Sequence, residues 1–238
     1  MHIRLILFVL MFVSCQKDSD LTDDPVVDPT GSIETENPSG TLPTEEGTPC
    51  LNGFAGKYPC NGYNLLAHID LATFESSDGN DSWGWTDPST QKEYVLMGLG
   101  NGTAFVDVSD PVNPILLGKL PTATESSLWR DIKVYKNYAY VVSEATDHGI
   151  QAFDLTRLRG VEAPQTFTAN RVLKTVPTAH NMVINSESGF GYVVGTSRND
   201  EFKGGVHFLD LNDPENYRFV GGYGEGGYST DAQEVTYI

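Results

Sequence analysis

Short runs of alternating apolar and polar residues recur three times in this chain, always in the same order. The clearest are GTAFVDV from Gly102, GIQAFDL from Gly149 and GVHFLDL from Gly205, each with an Asp five residues after the Gly, at Asp107, Asp154 and Asp210. Ahead of them stand YVLMG from Tyr94, YVVSE from Tyr140 and YVVGT from Tyr192. Earlier again come SWGWTD from Ser82, WRDIKVY from Trp129 and HNMVIN from His180. After each Asp follows a fourth stretch: PILLGKLP from Pro114, RVLKTVP from Arg171 and RFVGGYG from Arg218. Their β-branched and aromatic content predicts strands, and Asp-Pro, Asn-Pro and Gly mark the turns between them. No convincing amphipathic helix is visible.

Each unit is thus four short strands, with Asp-to-Asp steps of 47 and 56 residues. Four-stranded units at this period predict an all-β fold, a β-propeller of four-stranded blades. A β-sandwich is the alternative, but it would leave the repeated register without a cause. The ends of the folded part look partial. NLLAHIDLATF, from Asn64, reads as a third strand around Asp70 with no first or second strand ahead of it. TDAQEVTYI reads as a first strand around Asp231. The expectation is a propeller whose ring does not close within this chain.

Ahead of the repeats the pattern changes twice. Arg4, an apolar run from Leu5 to Val13, and Ser14-Cys15 have the layout of an export signal, too short to span a bilayer as a helix. A cysteine at the cleavage point resembles a bacterial lipoprotein signal, which implies residues 1–14 as signal peptide and a lipid on Cys15. Lys17 followed by Asp18 and Asp20 resembles the tag that sends some lipoproteins to the outer surface, so the expected place is the outer membrane, on the cell surface. Residues 15–49 hold nine acidic residues and one lysine without apolar periodicity, and read as a disordered stalk. The domain then runs over 50–238, with 23 Asp and Glu against 13 Lys and Arg. That balance excludes the basic footprint of a nucleic-acid binder, and leaves the Cys15 lipid as the membrane contact. In an exported protein the default for Cys50 and Cys60 is a disulfide, worth ~2–3 kcal/mol for so short a loop.

Antiparallel strand order sorts the loops onto two faces. Loops between strands two and three, and between strand four and the next first strand, share one of them. That face collects the candidate ligand-binding residues Trp83, Trp129, Arg130, Asp131, His180 and Asn181, with Asp231. Glu144, Asp147, His148, Arg198, Asp200, Glu201 and Lys203 join from the second-to-third loops. Turn sequences such as SDPVNP and LNDPENY fill the other face.

Each candidate also has a structural reading. Trp83 and Trp85 pack between blades, Arg130 and Asp131 form an ion pair by the central channel, and His180 and Asn181 bond across it. His148 sits exposed at a loop tip, His207 is structural, and Asp107, Asp154 and Asp210 accept turn N–H groups. No standard catalytic or phosphate-binding motif is present. The acidic run ESSDGND from Glu75 lacks EF-hand spacing. Neither a metal nor a cofactor is expected.

PCLNGFAGKYPC, NDSWGWTDPSTQKEY, NGTAFVDVSDPVNP, HGIQAFDL and AHNMVIN, in this order, resemble the choice-of-anchor B family, whose members carry LVIVD-type repeats. The resemblance covers Cys50 to Ile238 and implies a surface-anchored propeller without an established activity. Thr230 stands where that family often has a His before Asp-Ala-Gln. The leading expectation is a binder of an extracellular or envelope protein or glycan. The alternatives are a hydrolase or lyase acting on extracellular polymer, and a structural module of an envelope complex.

Overall fold

Three antiparallel sheets, stacked side by side through their faces, make up most of the molecule in a computed structural model that describes residues 47–236. A small hairpin comes first, β1 (Phe54–Ala55) and β2 (Tyr58–Pro59), inside the loop closed by the Cys50–Cys60 disulfide. Thr48 is already bridged to Leu65, so the folded region includes the last residues of the segment read as stalk. Cys15, the export signal and the rest of that stalk lie outside the described residues.

The first blade holds β3 (Gly79–Thr86), β4 (Glu93–Leu99), β5 (Gly102–Asp107) and β6 (Ile115–Pro121). The second holds β7 (Arg130–Tyr135), β8 (Tyr138–Ser143) and β9 (Ile150–Asp154). Before its last strand the chain crosses back as β10 (Gln165–Thr166), which pairs in parallel with β6 as a fifth strand of the first blade. Gly118 permits this: its φ is 140°, and a side chain there would collide with the Gln165 backbone. β11 (Arg171–Leu173) completes the second blade. β12 (Asn181–Asn185), β13 (Phe190–Val194), β14 (Val206–Asp210) and β15 (Arg218–Tyr223) form the third. The strands predicted for the three repeats are all present, the fold is all-β in a propeller-like arrangement, and the three blades do not close a ring. Among the described residues the helices are two short 3-10 turns, Leu71–Phe74 and Leu155–Leu158.

The repeated Asp does what its position suggests. Asp107, Asp154 and Asp210 each end a third strand and accept the backbone N–H two residues on, at 2.9, 2.9 and 3.1 Å. These bonds turn the chain toward the fourth strand. The two end segments differ from expectation. Around Asp70 the chain forms no strand, only the 3-10 turn that also follows Asp154 in the second blade. Residues 231–236 form no strand either, although Asn185 holds Glu234 and Thr236 alongside β12 at 2.6 and 2.8 Å. A strand is defined by its ladder partners, and neither segment has a full one.

Apolar side chains fill the seams between blades. Between the first two, Phe105 stacks on Phe153 at 4.7 Å with Phe167 edge-on to both, beside Trp85, Leu96 and Ile132. Between the second and third lie Tyr140, Val142, Met182, Val193 and Leu209. Tyr217, fully buried, donates its hydroxyl to the Ile150 carbonyl at 2.6 Å and receives the Leu173 N–H. A second polar tie joins the first blade to the turn after β9: Arg159 grips buried Asp87 with two bonds of 2.7 Å. Those bonds hold the Asp87 carboxyl far below the usual range.

Candidate ligand-binding face

The first strands of the blades run in a 50-residue register that the loops obscure in the sequence. Residues 81, 131, 181 and 231 occupy equivalent places, all acidic or amide. Asp81 accepts the Ile132 N–H at 2.9 Å, and Asp131 accepts the Met182 N–H at 2.9 Å. Each carboxylate thus latches its blade to the next one. The third position differs: Asn181 donates to Asp231 at 3.3 Å, and its buried Oδ1 has no partner among the described residues.

This register corrects several expectations. Arg130 and Asp131 are not an ion pair. Asp131 bonds Lys133 at 2.6 Å as well as Met182, and its burial raises the carboxyl well above the usual range despite that lysine. Arg130, 1 % exposed, points away into the seam between the first two blades. There its Nε donates to the Leu99 carbonyl and its Nη1 bonds the His148 Nε2 at 3.0 Å. Burial lowers the guanidinium to about 10. His148, read as an exposed loop tip, is fully buried. Its Nδ1 meets the Gly149 carbonyl, and burial, with Arg130 adjacent, lowers the imidazole to about 4. The neutral tautomer that donates from Nδ1 and accepts at Nε2 satisfies both contacts.

His207 is buried as expected, 3.6 Å from Asp200, whose carboxylate also caps its own loop. Trp85 packs in the seam as expected, stacked on Tyr94. Trp83 does not. Being 40 % exposed, it lies under the Lys133 ammonium at 4.6 Å and lines a separate cleft with Val183 and Gln233. The strand that carries it begins at Gly79, so Trp83 is deeper along its strand than Trp129, which precedes β7. His180 bonds Glu144 of the second blade, and Asn181 bonds Asp231.

What remains on the face is a polar cleft of about 310 Å³. It is lined by Asn80, Asp81, Trp129, Arg130, Asp131, His180 and Asn181. The backbone of Trp129 is clamped by the Ser143 hydroxyl at 2.9 Å and the Glu144 N–H at 3.2 Å, while half of the residue faces solvent. Its ring lies 5.8 Å from that of His180. His180 Nδ1 meets Glu144 at 2.5 Å, which leaves Nε2 outside that pair. Gly195 opposite has φ +67°, and any side chain there would strike His180. The sequence brings Trp129, His180 and Asn181 into view; Asn80 and Asp81 escape it because β3 starts four residues earlier than its aromatic pattern. The 50-residue spacing of Asp81, Asp131, Asn181 and Asp231 is the signal that finds Asp81 and its neighbour Asn80. The acidic run from Glu75 holds no converging trio of metal ligands among the described residues.

Residues 92–122 and 129–147 match the model of the LVIVD repeat. The match supports the repeat family. Its two segments span β4 to β6 and β7 to β8, so the LVIVD-type units supply Trp129, Asp131 and Glu144. No curated protein matches the chain.

Proposed function

We propose that this protein is anchored at the outer cell surface by lipid on Cys15 and binds an extracellular or envelope protein or glycan through the face around Trp129 and His180. One observation carries the reading. Trp129 is fixed through its backbone carbonyl yet stays about half exposed, beside a cleft of amides, carboxylates and a histidine. A large apolar surface held out to water beside convergent polar groups is a usual mark of a binding site. Across the molecule, Asp110 and Asp213 spend their side chains capping their own turns. The layout of residues 1–18 and the resemblance to choice-of-anchor B proteins support the anchored location.

Two measurements test it. Cells fed labelled palmitate should label the protein, and Cys15→Ser should abolish the label. On a screen of glycans and envelope extracts, Trp129→Ala and His180→Ala should weaken binding about tenfold or more, whereas Glu187→Ala on the opposite face should not. Binding that survives both face substitutions would overturn the assignment.

The Glu144–His180 pair favours a second reading, hydrolysis of an extracellular polymer. A carboxylate on Nδ1 orients the imidazole so that Nε2 can take a proton. Polymer cleavage that needs both His180 and Glu144 would promote this reading over simple binding.

A further inference from the structure

The face carries a second cleft beside the first, and the two share one loop. The larger, about 650 Å³, lies between the segment after the Leu71–Phe74 turn, the β4–β5 turn and residues 126–128. Backbone bonds fix its walls. Ser127 N–H donates to Gly100 at 2.9 Å, and Gly100 N–H to Asp78 at 3.3 Å. Asn101 reaches the Glu75 carbonyl at 2.7 Å. Ser126 and Leu128 line this cleft, and Trp129 lines the next. Three Cα steps separate Ser126 from Trp129, at most ~11 Å. Leu128 and Trp129 stand on the ridge between them, 44 % and 49 % exposed.

We propose that the two clefts are one continuous groove that takes a linear, uncharged glycan, with consecutive sugar units on either side of the Leu128–Trp129 ridge. This deepens the binding reading above and rests on it. The chemistry selects the ligand class. Lining groups are hydroxyls, amides and carboxylates, and the lone cationic side chain in the two linings, Arg130, is buried in the seam. Carboxylates without an exposed cation repel sulfated, phosphorylated or uronic chains. Sugar hydroxyls both donate and accept, so they match this mixed set, with charge-assisted bonds to Asp78 in one cleft or Asp81 in the other. The C–H face of a sugar ring covers an exposed indole. A peptide would instead call for apolar side-chain pockets or a free strand edge, and neither cleft offers them.

The test is affinity against chain length, using neutral hexose oligosaccharides of two to six units in gluco, manno and galacto forms. Affinity should rise about tenfold or more with length in at least one series. Ser126→Tyr, which obstructs the larger cleft, should cancel that rise and change the affinity of the two-unit ligand least. Trp129→Ala should weaken every length. Melting curves should show both variants folded, and Asp78→Ala provides a second, truncating probe of the same cleft. Binding that depends on Trp129 but not on length would overturn the groove while leaving the face as a binding site. Binding indifferent to Trp129 would overturn the face itself. Preference for an acidic oligosaccharide or a peptide, or no neutral glycan bound at all, would overturn the ligand class.

Discussion

The middle strands of the second and third blades have closely similar sequences, YAYVVS against FGYVV and IQAFD against VHFLD, yet their burial differs. In β8 and β9 nearly every residue is buried. In β14 burial alternates, with His207 and Leu209 inside and Val206 and Phe208 half-exposed. The second blade has a neighbour on each face. The third packs one face on the second, and among the described residues no further sheet covers the other. A strand stacked on both sides has no polar face, whatever its alternation suggests. The seams, rather than the strands, therefore carry the stability of this fold.

The largest expected effect breaks that comparison directly. Phe153→Ala, in the first seam, should cost ~3–5 kcal/mol of unfolding free energy. Phe208→Ala, on the half-covered face of the third blade, should cost ~1–2 kcal/mol. Urea melts of the two variants measure both, and equal losses would refute the contrast.

The latches offer a smaller version. Asp131→Ala removes the acceptor of the Met182 N–H and should cost ~1–3 kcal/mol. Asn181→Ala, at the equivalent position without a closed latch, should cost less than Asp131→Ala in the same melts.

Acid should act on the first seam before the second. The His148 imidazole is lowered to about 4, against 6.5 for the free group. The unfolded chain therefore takes up this proton first, and the stability that neutral His148 contributes is lost as pH falls from 6.5 toward 4. Between pH 7 and 5 the loss is ~2 kcal/mol. Asp131 runs the other way. Its raised carboxyl binds a proton more readily when folded, so acidification relieves its burial and offsets part of the loss. His148→Gln should lose less stability than the parent between pH 7 and 5, because only the opposing Asp131 contribution remains; an unchanged pH dependence would remove His148 as the cause.

The exposed Trp129 edge of the face should be nearly silent in stability. Trp129→Ala should shift unfolding by no more than ~0.5 kcal/mol, because its ring lies outside both seams. Gly195→Ala should displace His180, seen as changed imidazole chemical shifts by NMR together with weaker ligand binding. A large loss of stability in Trp129→Ala would mean that the ring is structural.

Alternation, turn residues and the thrice-repeated Asp make the strands, their order and the turn role of Asp107, Asp154 and Asp210 legible without coordinates. These are local properties: period-two burial and a side chain bonding two residues ahead need nothing beyond the segment itself. The Cys50–Cys60 bond follows as directly, with nine residues between a single close pair. Trp129 and His180 were legible too, since strand parity alone puts both at strand entrances on one face. What the residue order did not contain is which polar groups are already committed. Arg130 and His148 look alike on paper with Trp129, all of them large side chains at the same end of a blade. Only the stacking of the first two blades turns Arg130 inward onto His148 and leaves the Trp129 ring in water. In the same way Asp131 becomes a latch because the backbone of β12 arrives beside it from 51 residues away. Side-chain commitments of this kind are made between elements distant in sequence, and hydrogen-bond energy depends on distances that no local pattern encodes. Local residue order specifies the blades, and their packing fixes which residues the face has left to offer.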